Sequence, residues 1–293
     1  MNVPDLKPRG PVTGYAHPRC YLNSTNDCST TITREHFISR TVLEAMKGQI
    51  EFFGLPWKKP GEAQVVGIGS LVSHVLCGRH NSALSPLDTA AGRFFRALQA
   101  ICEDITPRNR SLSRRGKWFL VSGEALELWG LKTLFGLYHA KLAADQAVRL
   151  IDTHTLDVRL FIECLRQRQV PAPCGLYLRA TSGQTLLNIE EKISAAPLGS
   201  ETDKCVTGIR IGLNGFEFEI ILDPTGVNFP LLAQQTVYHP WQLQFRNRLR
   251  QHMLVMTWSD VSSLGTIADF GTEPVRELVR EAKRRATGKK EQE

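Results

Sequence analysis

The amino-acid sequence predicts an α+β protein, because segments with helical periodicity and segments with strand periodicity both occur in it. The clearest helical segment is SPLDTAAGRFFRALQAICEDI, residues 85–105. The clearest strand pair is VTGIRIGLNGFEFEIILD, residues 206–223, where apolar residues alternate on both sides of Asn214-Gly215. Asn-Gly is typical of two-residue hairpin turns. The 293 residues suffice for one large domain or two smaller ones.

The N-terminal part is predicted to contain a loop, a strand and a short helix, in that order. Residues 1–25 include many Pro, Gly and Asn residues and are expected to be mostly loop. ITREHFISR, residues 32–40, consists largely of strand-forming residues, and SRTVLEAMKG, residues 39–48, suits a short helix. The Pro- and Gly-rich segment GLPWKKPGEAQ, residues 54–64, is predicted to be loop.

The long helix is predicted to begin at Ser85 as its N-cap. Pro86 then occupies the first helical position, which suits proline, and Asp88 completes a capping box. After this helix comes PRNRSLSRRGK, residues 107–117, with five cations and no acid. This basic stretch is interpreted as a linker, so the domain boundary is predicted there, after an N-terminal unit of residues 1–106.

Beyond the linker the sequence predicts a mixed α/β domain, residues 118–265, of unassigned role. GEALELWGLKTLFGLYHAKLA and LDVRLFIECLRQR are predicted helices, the hairpin lies in this part, and HMLVMTW is predicted to be a further strand. Residues 266–293 contain EPVRELVREAKRRATGKK, which predicts a basic amphipathic helix followed by a tail.

The composition narrows the class of protein. Hydrophobic residues make up 42% and charged residues 22%, as in globular proteins, and no apolar run is long enough to cross a bilayer. The first residues, MNVPDLKPRGPVTGY, lack the apolar segment of a secretory signal, so a cytoplasmic location is expected. Seven scattered cysteines argue against a disulfide framework. The net charge of +7 favours a polyanionic partner.

Cys77 and His80 form a C-x-x-H motif, which is half of a tetrahedral zinc site because two ligands in one tight turn can bind one ion. Two further ligands are needed. Cys20 and Cys28 are the nearby cysteines outside apolar segments, and they complete the predicted set. His17 is an alternative to one of these two cysteines.

Glu35 and His36 are candidates for hydrolytic chemistry. A carboxylate suits Mg²⁺, and a neutral imidazole suits the general base that removes a proton from water. Neighbours on a strand point to opposite faces, so a bulge or turn is needed to bring both to one site. Asn81, directly after His80, offers an amide oxygen as a further ligand.

Along the chain these motifs follow the order Cys20, Cys28, Glu35-His36, Cys77 and His80-Asn81. This order resembles that of the His-Asn-His (HNH) endonuclease family in its zinc-knuckle form. The resemblance covers about residues 17–100. It implies an N-terminal ββα-metal module with a structural zinc ion, which makes the chain an α+β protein with two units. It also implies a catalytic divalent ion, Mg²⁺ or Mn²⁺, and hydrolysis of phosphodiester bonds.

The resemblance assigns roles to individual residues. Glu35 and Asn81 match the positions that hold the catalytic ion, and His36 matches the general base. The structural zinc ion is assigned to four side chains: Cys20, Cys28, Cys77 and His80.

Three features depart from the family pattern. The central asparagine of the family has no counterpart, because residues 37–76 contain no Asn. The motifs are also further apart than in the compact family core, which implies an insertion around residues 47–66. Glu35 stands where Asp or His is commoner.

The predicted partner is duplex DNA, although these patterns do not distinguish DNA from RNA. Five arginines are predicted to contact nucleic acid: Arg34, Arg40, Arg110, Arg114 and Arg115. The patch Arg246–Arg250 would add non-specific affinity for the phosphate backbone. Two alternatives stay open. The chain is a zinc-stabilised nucleic-acid-binding or interaction protein without catalysis, or its second unit carries the chemistry. Oligomeric state is left open as well.

Overall fold

The structure is a computed structural model of the whole chain. It describes residues 3–44, 50–53, 55, 57–59, 62–105, 116–142, 144–145, 148–149, 152–179, 192–213, 216–246, 251–260 and 267–271. The predicted basic linker lies almost wholly outside the described residues, and Arg110, Arg114 and Arg115 lie outside them with it.

The described residues form a mixed α+β protein, as predicted. The helices are α1 (Arg40–Leu43), α2 (Gly78–Ile105), α3 (Gly123–His139), α4 (Val158–Gln167) and α5 (Phe229–Gln235). The strands are β1 (Ile32–His36), β2 (Ile50–Phe53), β3 (Gln64–Val66), β4 (Val72–Cys77), β5 (Trp118–Ser122), β6 (Ala144–Asp145), β7 (Val148–Arg149), β8 (Gly175–Leu178), β9 (Lys192–Ser200), β10 (Cys205–Leu213), β11 (Phe216–Ile221), β12 (Val237–Tyr238), β13 (Gln242–Arg246), β14 (Gln251–Thr257) and β15 (Ile267–Gly271).

The strands pair in four groups. A seven-stranded sheet has the order β12-β8-β11-β10-β9-β2-β3, and a four-stranded sheet has the order β15-β13-β14-β5. Strands β1 and β4 form an antiparallel pair, as do β6 and β7. The predicted hairpin is confirmed, because β10 and β11 are antiparallel with Leu213 opposite Phe216. Its turn, residues 214–215, lies outside the described residues.

The segment predicted as an insertion contributes two strands to the large sheet. Strand β2 pairs parallel to β9, with Phe52 opposite Ile193, and β3 pairs antiparallel to β2. One sheet therefore contains strands from both sides of the predicted linker. Residues 267–271, at the start of the predicted C-terminal segment, form β15 beside β13, and residues 272–293 lie outside the described residues.

The predicted start of the long helix was wrong. Helix α2 begins at Gly78 and Pro86 lies inside it. Proline has no N–H to donate to the carbonyl four residues earlier, which is that of Ser82. The Ser85 hydroxyl donates to this Ser82 carbonyl at 2.9 Å, so the oxygen keeps a partner and the helix continues. Asp88 consequently does not cap the helix.

Helix α3 is the centre of the core. Every residue from Gly123 to Leu137 is buried, which is typical of a helix surrounded by other elements. Ser122 caps its N-terminus by accepting a hydrogen bond from the Ala125 N–H. None of the described helices is long and apolar enough to span a bilayer. Because α3 is buried, its charged side chains, among them Lys132, must find partners inside the protein.

Candidate metal centre and candidate active site

The four predicted zinc ligands lie together. Their ligand atoms are all within 4.8 Å of one another, and the group is called the Cys3His cluster below. Two of its members are close in sequence, since Cys77 ends β4 and His80 lies in the first turn of α2. The other two are Cys20 and Cys28, in the loop before β1. The predicted alternative ligand His17 is not a member of this group.

The geometry of the Cys3His cluster fits a tetrahedral zinc ion. The Nδ1 atom of His80 is 3.5, 3.7 and 3.2 Å from the Sγ atoms of Cys20, Cys28 and Cys77. Zn–S and Zn–N bonds of about 2.3 and 2.0 Å place tetrahedral sulfur and nitrogen ligands about 3.5 Å apart. All four side chains are buried, with at most 3% of the residue surface exposed. The cluster can therefore hold a metal ion such as zinc.

A threonine orients the imidazole of the cluster. The Thr25 hydroxyl donates to the Leu22 carbonyl at 2.7 Å. Its oxygen lies 3.0 Å from Nε2 of His80 and is left as the acceptor, so Nε2 carries the proton. Nδ1 then has its lone pair directed at the three thiols. Hydrogen bonds of this kind fix the tautomer and ring orientation of metal-binding histidines.

The thiols of the cluster differ in their tendency to ionise. Burial raises the pKa of Cys20 to about 12 and also raises the pKa of Cys28. For Cys77, burial acts in the same direction, but hydrogen bonds from the His80 and Ser29 backbone outweigh it and lower the pKa. Burial lowers the pKa of His80, which favours the neutral imidazole that binds metal. A bound ion must displace the remaining thiol protons.

Contacts outside the cluster hold the N-terminal loop in place. Arg79, between two cluster members, pairs with Asp27 at 2.8 Å and donates to the Pro11 carbonyl at 2.8 Å. The backbone N–H of Tyr21 donates to the Val75 carbonyl of β4 at 3.0 Å. The loop that carries the two N-terminal cysteines is thus fixed to the start of α2 and to β4.

Glu35 points into the protein interior and pairs with a lysine. Its Oε1 atom is 2.5 Å from Nζ of Lys132, and the same Nζ is 2.6 Å from Oδ2 of Asp88. Asp88 also accepts a hydrogen bond from Ser39, whose hydroxyl oxygen accepts from Nε1 of Trp129 at 2.5 Å. These five residues are called the Lys132 cluster below.

In the Lys132 cluster, the ammonium group of the lysine is the counter-ion of the two acidic side chains. The side chains of Lys132 and Glu35 are only 4% and 5% exposed. Burial by itself would lower the pKa of Lys132, but the carboxylates of Asp88 and Glu35 outweigh burial and raise that pKa above its ordinary value. The lysine therefore stays charged between Glu35 and Asp88, and burial raises the pKa of Glu35 against the opposing effect of the lysine.

His36 lies on the other side of β1, at the surface. It lines a pocket of about 430 Å³ together with Arg34, Arg40 and Gly69. Burial and the charges of Arg40 and Arg34 lower the pKa of His36, so the imidazole is neutral at neutral pH. A neutral imidazole beside two guanidinium groups can accept a proton close to a bound anion.

Asn81, at the start of α2, forms a hydrogen bond to β1. Its Nδ2 atom donates to the Thr33 hydroxyl at 3.1 Å, and that hydroxyl lies 3.3 Å from the Leu76 carbonyl. Glu35 has Lys132 as its partner instead. These contacts do not support a Mg²⁺ or Mn²⁺ ion shared by Glu35 and Asn81. Among the described residues, the Cys3His cluster is the one group of His, Cys and acidic side chains assembled closely enough for a metal.

Sequence reasoning missed Lys132 and Thr25. Lys132 is a single lysine in the apolar segment of α3. A lysine surrounded by apolar residues indicates a buried ion pair, but the sequence does not indicate which acid is its partner. A second buried group of titratable side chains surrounds His239. His239 lies 2.7 Å from Glu127 and 2.9 Å from Asp260, and its ring stacks on that of Trp258 at 3.9 Å. Glu127 and Asp260 raise the pKa of His239 against the effect of burial.

Comparisons of the chain with family models, curated proteins and solved structures find no match. The resemblance to the HNH family therefore rests on the sequence motifs alone. No family membership is assigned.

Proposed function

We propose that this protein is an endonuclease that hydrolyses phosphodiester bonds of DNA, with His36 as the general base. The observation that carries the proposal is the position of His36. It is a neutral imidazole at the surface, in a pocket with two arginines. The pocket is lined by residues of β1, by the first residue of α1 and by Gly69. Strand β1 pairs with β4, which ends at Cys77 of the Cys3His cluster.

The pocket suits a phosphodiester. Arg34 and Arg40 would bind non-bridging oxygens of the phosphate, because guanidinium groups match the geometry of phosphate. His36 would take the proton of a water molecule, whose oxygen attacks phosphorus while the bond to the leaving oxygen breaks. The leaving alkoxide takes a proton from solvent water and departs as the alcohol. Glu35 contacts Lys132 and Asn81 contacts Thr33, so this proposal assigns no step to a divalent ion on these two residues.

The metal of the Cys3His cluster has a structural role in this proposal. A site with four protein ligands has no open position for water or substrate, which is typical of structural zinc. The ion would join the N-terminal loop, the end of β4 and the start of α2. It would thereby fix the strand on which Arg34 and His36 lie.

Duplex DNA is the proposed substrate because the chain is basic and the pocket is cationic. The net charge is +7, and Arg34 and Arg40 are both exposed. The predicted contacts Arg110, Arg114 and Arg115 belong to the basic linker and extend this proposal beyond the described residues. Binding through phosphate contacts should weaken steeply as salt is raised, because counterions are released.

A second candidate function is a zinc-stabilised nucleic-acid-binding protein without catalysis. The observation that favours it is the ion pair of Glu35 with Lys132, which engages the carboxylate predicted to hold a catalytic ion. This candidate keeps the Cys3His cluster and the cationic pocket. It differs from the nuclease in assigning His36 no chemical step.

The deciding experiment is cleavage of supercoiled plasmid by the zinc-loaded protein in Mg²⁺, in Mn²⁺ and with no divalent ion added. Wild type is compared with His36→Ala and with His74→Ala, since His74 is an exposed histidine on the neighbouring strand β4. We expect the first variant to lose about 10²-fold or more in rate, which is the usual contribution of a general base, and the second to match wild type.

Each other result has a defined meaning. Equal rates for wild type and His36→Ala would refute His36 as the base. Absence of cleavage by any of the three proteins, with DNA still bound and zinc still present, would refute the nuclease and support the binding protein.

A further inference from the structure

We infer that the ammonium group of Lys132 is the resident cation of the Glu35–Asp88 carboxylate pair. Glu35 is then not a metal ligand but a positioning residue, which with Lys132 sets the direction of His36. The part that concerns His36 rests on the proposed nuclease function, whereas the identity of the cation does not.

The first argument is charge. Nζ of Lys132 lies 2.5 Å from Glu35 and 2.6 Å from Asp88, and the lysine is almost fully buried. A buried ammonium group is stable only when it is paired, and here both partners are present. A divalent ion on the same carboxylates would lie beside a buried positive charge in a medium of low dielectric constant, where repulsion is strong.

The second argument is the hydrogen bonding around Asp88. One carboxylate oxygen faces Lys132 and the other accepts the Ser39 hydroxyl, which in turn accepts from the Trp129 indole. Thr41 donates to the backbone carbonyl of Asp88 at 2.8 Å. The donors come from α3 and from the start of α1, so the pair is held from both sides by protein groups. Its surroundings are those of a closed ion pair.

The third argument is the alternation of β1. Arg34 and His36 lie on the outward face of the strand, whereas Glu35 between them is buried. The register of β1 with β4 is irregular between Thr33 and Glu35 but regular from Glu35 to His36. These two successive side chains point to opposite faces, so fixing Glu35 inward directs His36 outward. The lysine that fixes Glu35 belongs to α3, beyond the predicted linker. The second part of the chain thus supplies a residue that shapes the His36 pocket.

The cation is identified by titrating Mn²⁺ alone into the zinc-loaded full chain by calorimetry. Wild type is compared with Glu35→Gln, with the double variant Glu35→Gln/Lys132→Met, and with Glu201→Gln as a control at an exposed carboxylate. The double variant removes both buried charges together and serves if the single variant does not fold. We expect the same isotherm for all proteins. A Mn²⁺ site present in wild type and Glu201→Gln but lost in the Glu35 variants would overturn the inference.

The positioning role is tested by plasmid cleavage with Glu35→Gln. We expect kcat to fall about tenfold or more while KM for DNA stays within twofold. If wild type needs Mn²⁺ to cut, the Mn²⁺ concentration that gives half-maximal rate should be the same for Glu35→Gln. A tenfold rise in that concentration, or an unchanged kcat, would overturn the positioning role. If wild type does not cut, the positioning role falls with the nuclease, and the calorimetry still decides the identity of the cation.

Discussion

The Cys3His cluster and the Lys132 cluster lie in the same part of the molecule and join some of the same elements, but they differ in their source of positive charge. The first contains three thiols and an imidazole and has no cation of its own. The second holds a buried ammonium group between two carboxylates. In this protein, the buried thiols have no cation from the chain and are available to an external metal ion. The buried carboxylates already have the ammonium group of Lys132 as their cation.

The two clusters should therefore fail in different ways. The Cys3His cluster depends on the solution, because its stability includes the binding energy of an external ion. The Lys132 cluster depends only on the covalent chain. A chelator should act on the first cluster alone, whereas removal of the buried ammonium group should act on the second.

The largest effect is expected from Cys77→Ser. The zinc content should fall from one ion per chain to none, and the β1–β4 region should lose its fold, because structural zinc contributes about 10–16 kcal/mol of apparent binding energy. Metal content by mass spectrometry and the melting temperature are measured, with Cys205→Ser as the control because Cys205 is half-buried and outside the cluster. Undiminished zinc in Cys77→Ser would contradict the ligand assignment.

The next effect is expected from Lys132→Met in the zinc-loaded protein. Removing the ammonium group leaves two neighbouring acids without a cation between them, so the free energy of unfolding should fall by about 3–5 kcal/mol. Lys204→Met is the matched control, because Lys204 forms a solvent-exposed pair with Glu201, and exposed pairs contribute little to stability. Urea unfolding at pH 7 measures both. Equal losses in the two variants would show that the Lys132 pair is no stronger than a surface pair.

A smaller effect is expected from Thr25→Val. This variant removes the acceptor of the His80 Nε2–H without changing any ligand. Zinc affinity should fall by about 10–100-fold, as for other residues that orient metal-binding histidines. Competition with a chromophoric chelator measures the affinity, and Thr89→Val on the outer part of α2 is the control. The tautomer assignment is wrong if both variants bind zinc like wild type.

The smallest effect is expected from a change of pH. High pH should weaken the ion pair of the Lys132 cluster, whereas low pH should weaken metal binding by the Cys3His cluster. The pKa of Lys132 is raised, so its contribution to stability is fully present below the ordinary value of 10.5 and is lost as pH rises through the higher folded value. The difference in unfolding free energy between wild type and Glu35→Gln/Lys132→Met should therefore stay constant from pH 7 to 9 and shrink near pH 11.

Zinc should leave the Cys3His cluster as pH falls, because protons compete for its ligands. Metal content after dialysis at each pH measures this loss. A stability difference from the Lys132 pair that already declines between pH 7 and 9 would contradict a raised lysine pKa.

Local patterns predicted much of the molecule. Asn214-Gly215 between alternating apolar residues predicted the β10–β11 hairpin, which needs only neighbours in sequence. Cys77 and His80 are three residues apart, so one turn brings them together whatever the rest of the chain does. Helix α2 was predicted as a helix, but its start was placed too late, because the bond from Ser85 to the Ser82 carbonyl compensates for Pro86.

The sequence by itself determined the α+β class, the four members of the Cys3His cluster and the strand that carries Glu35 and His36. These follow from residue types and short spacings. Only the tertiary structure decided the partner of Glu35, because Lys132 lies far along the chain and reaches it through the packing of α3 against α2. A carboxylate on a strand is compatible with a metal ion or an ammonium group. Which cation it meets depends on long-range packing, and no local pattern encodes it.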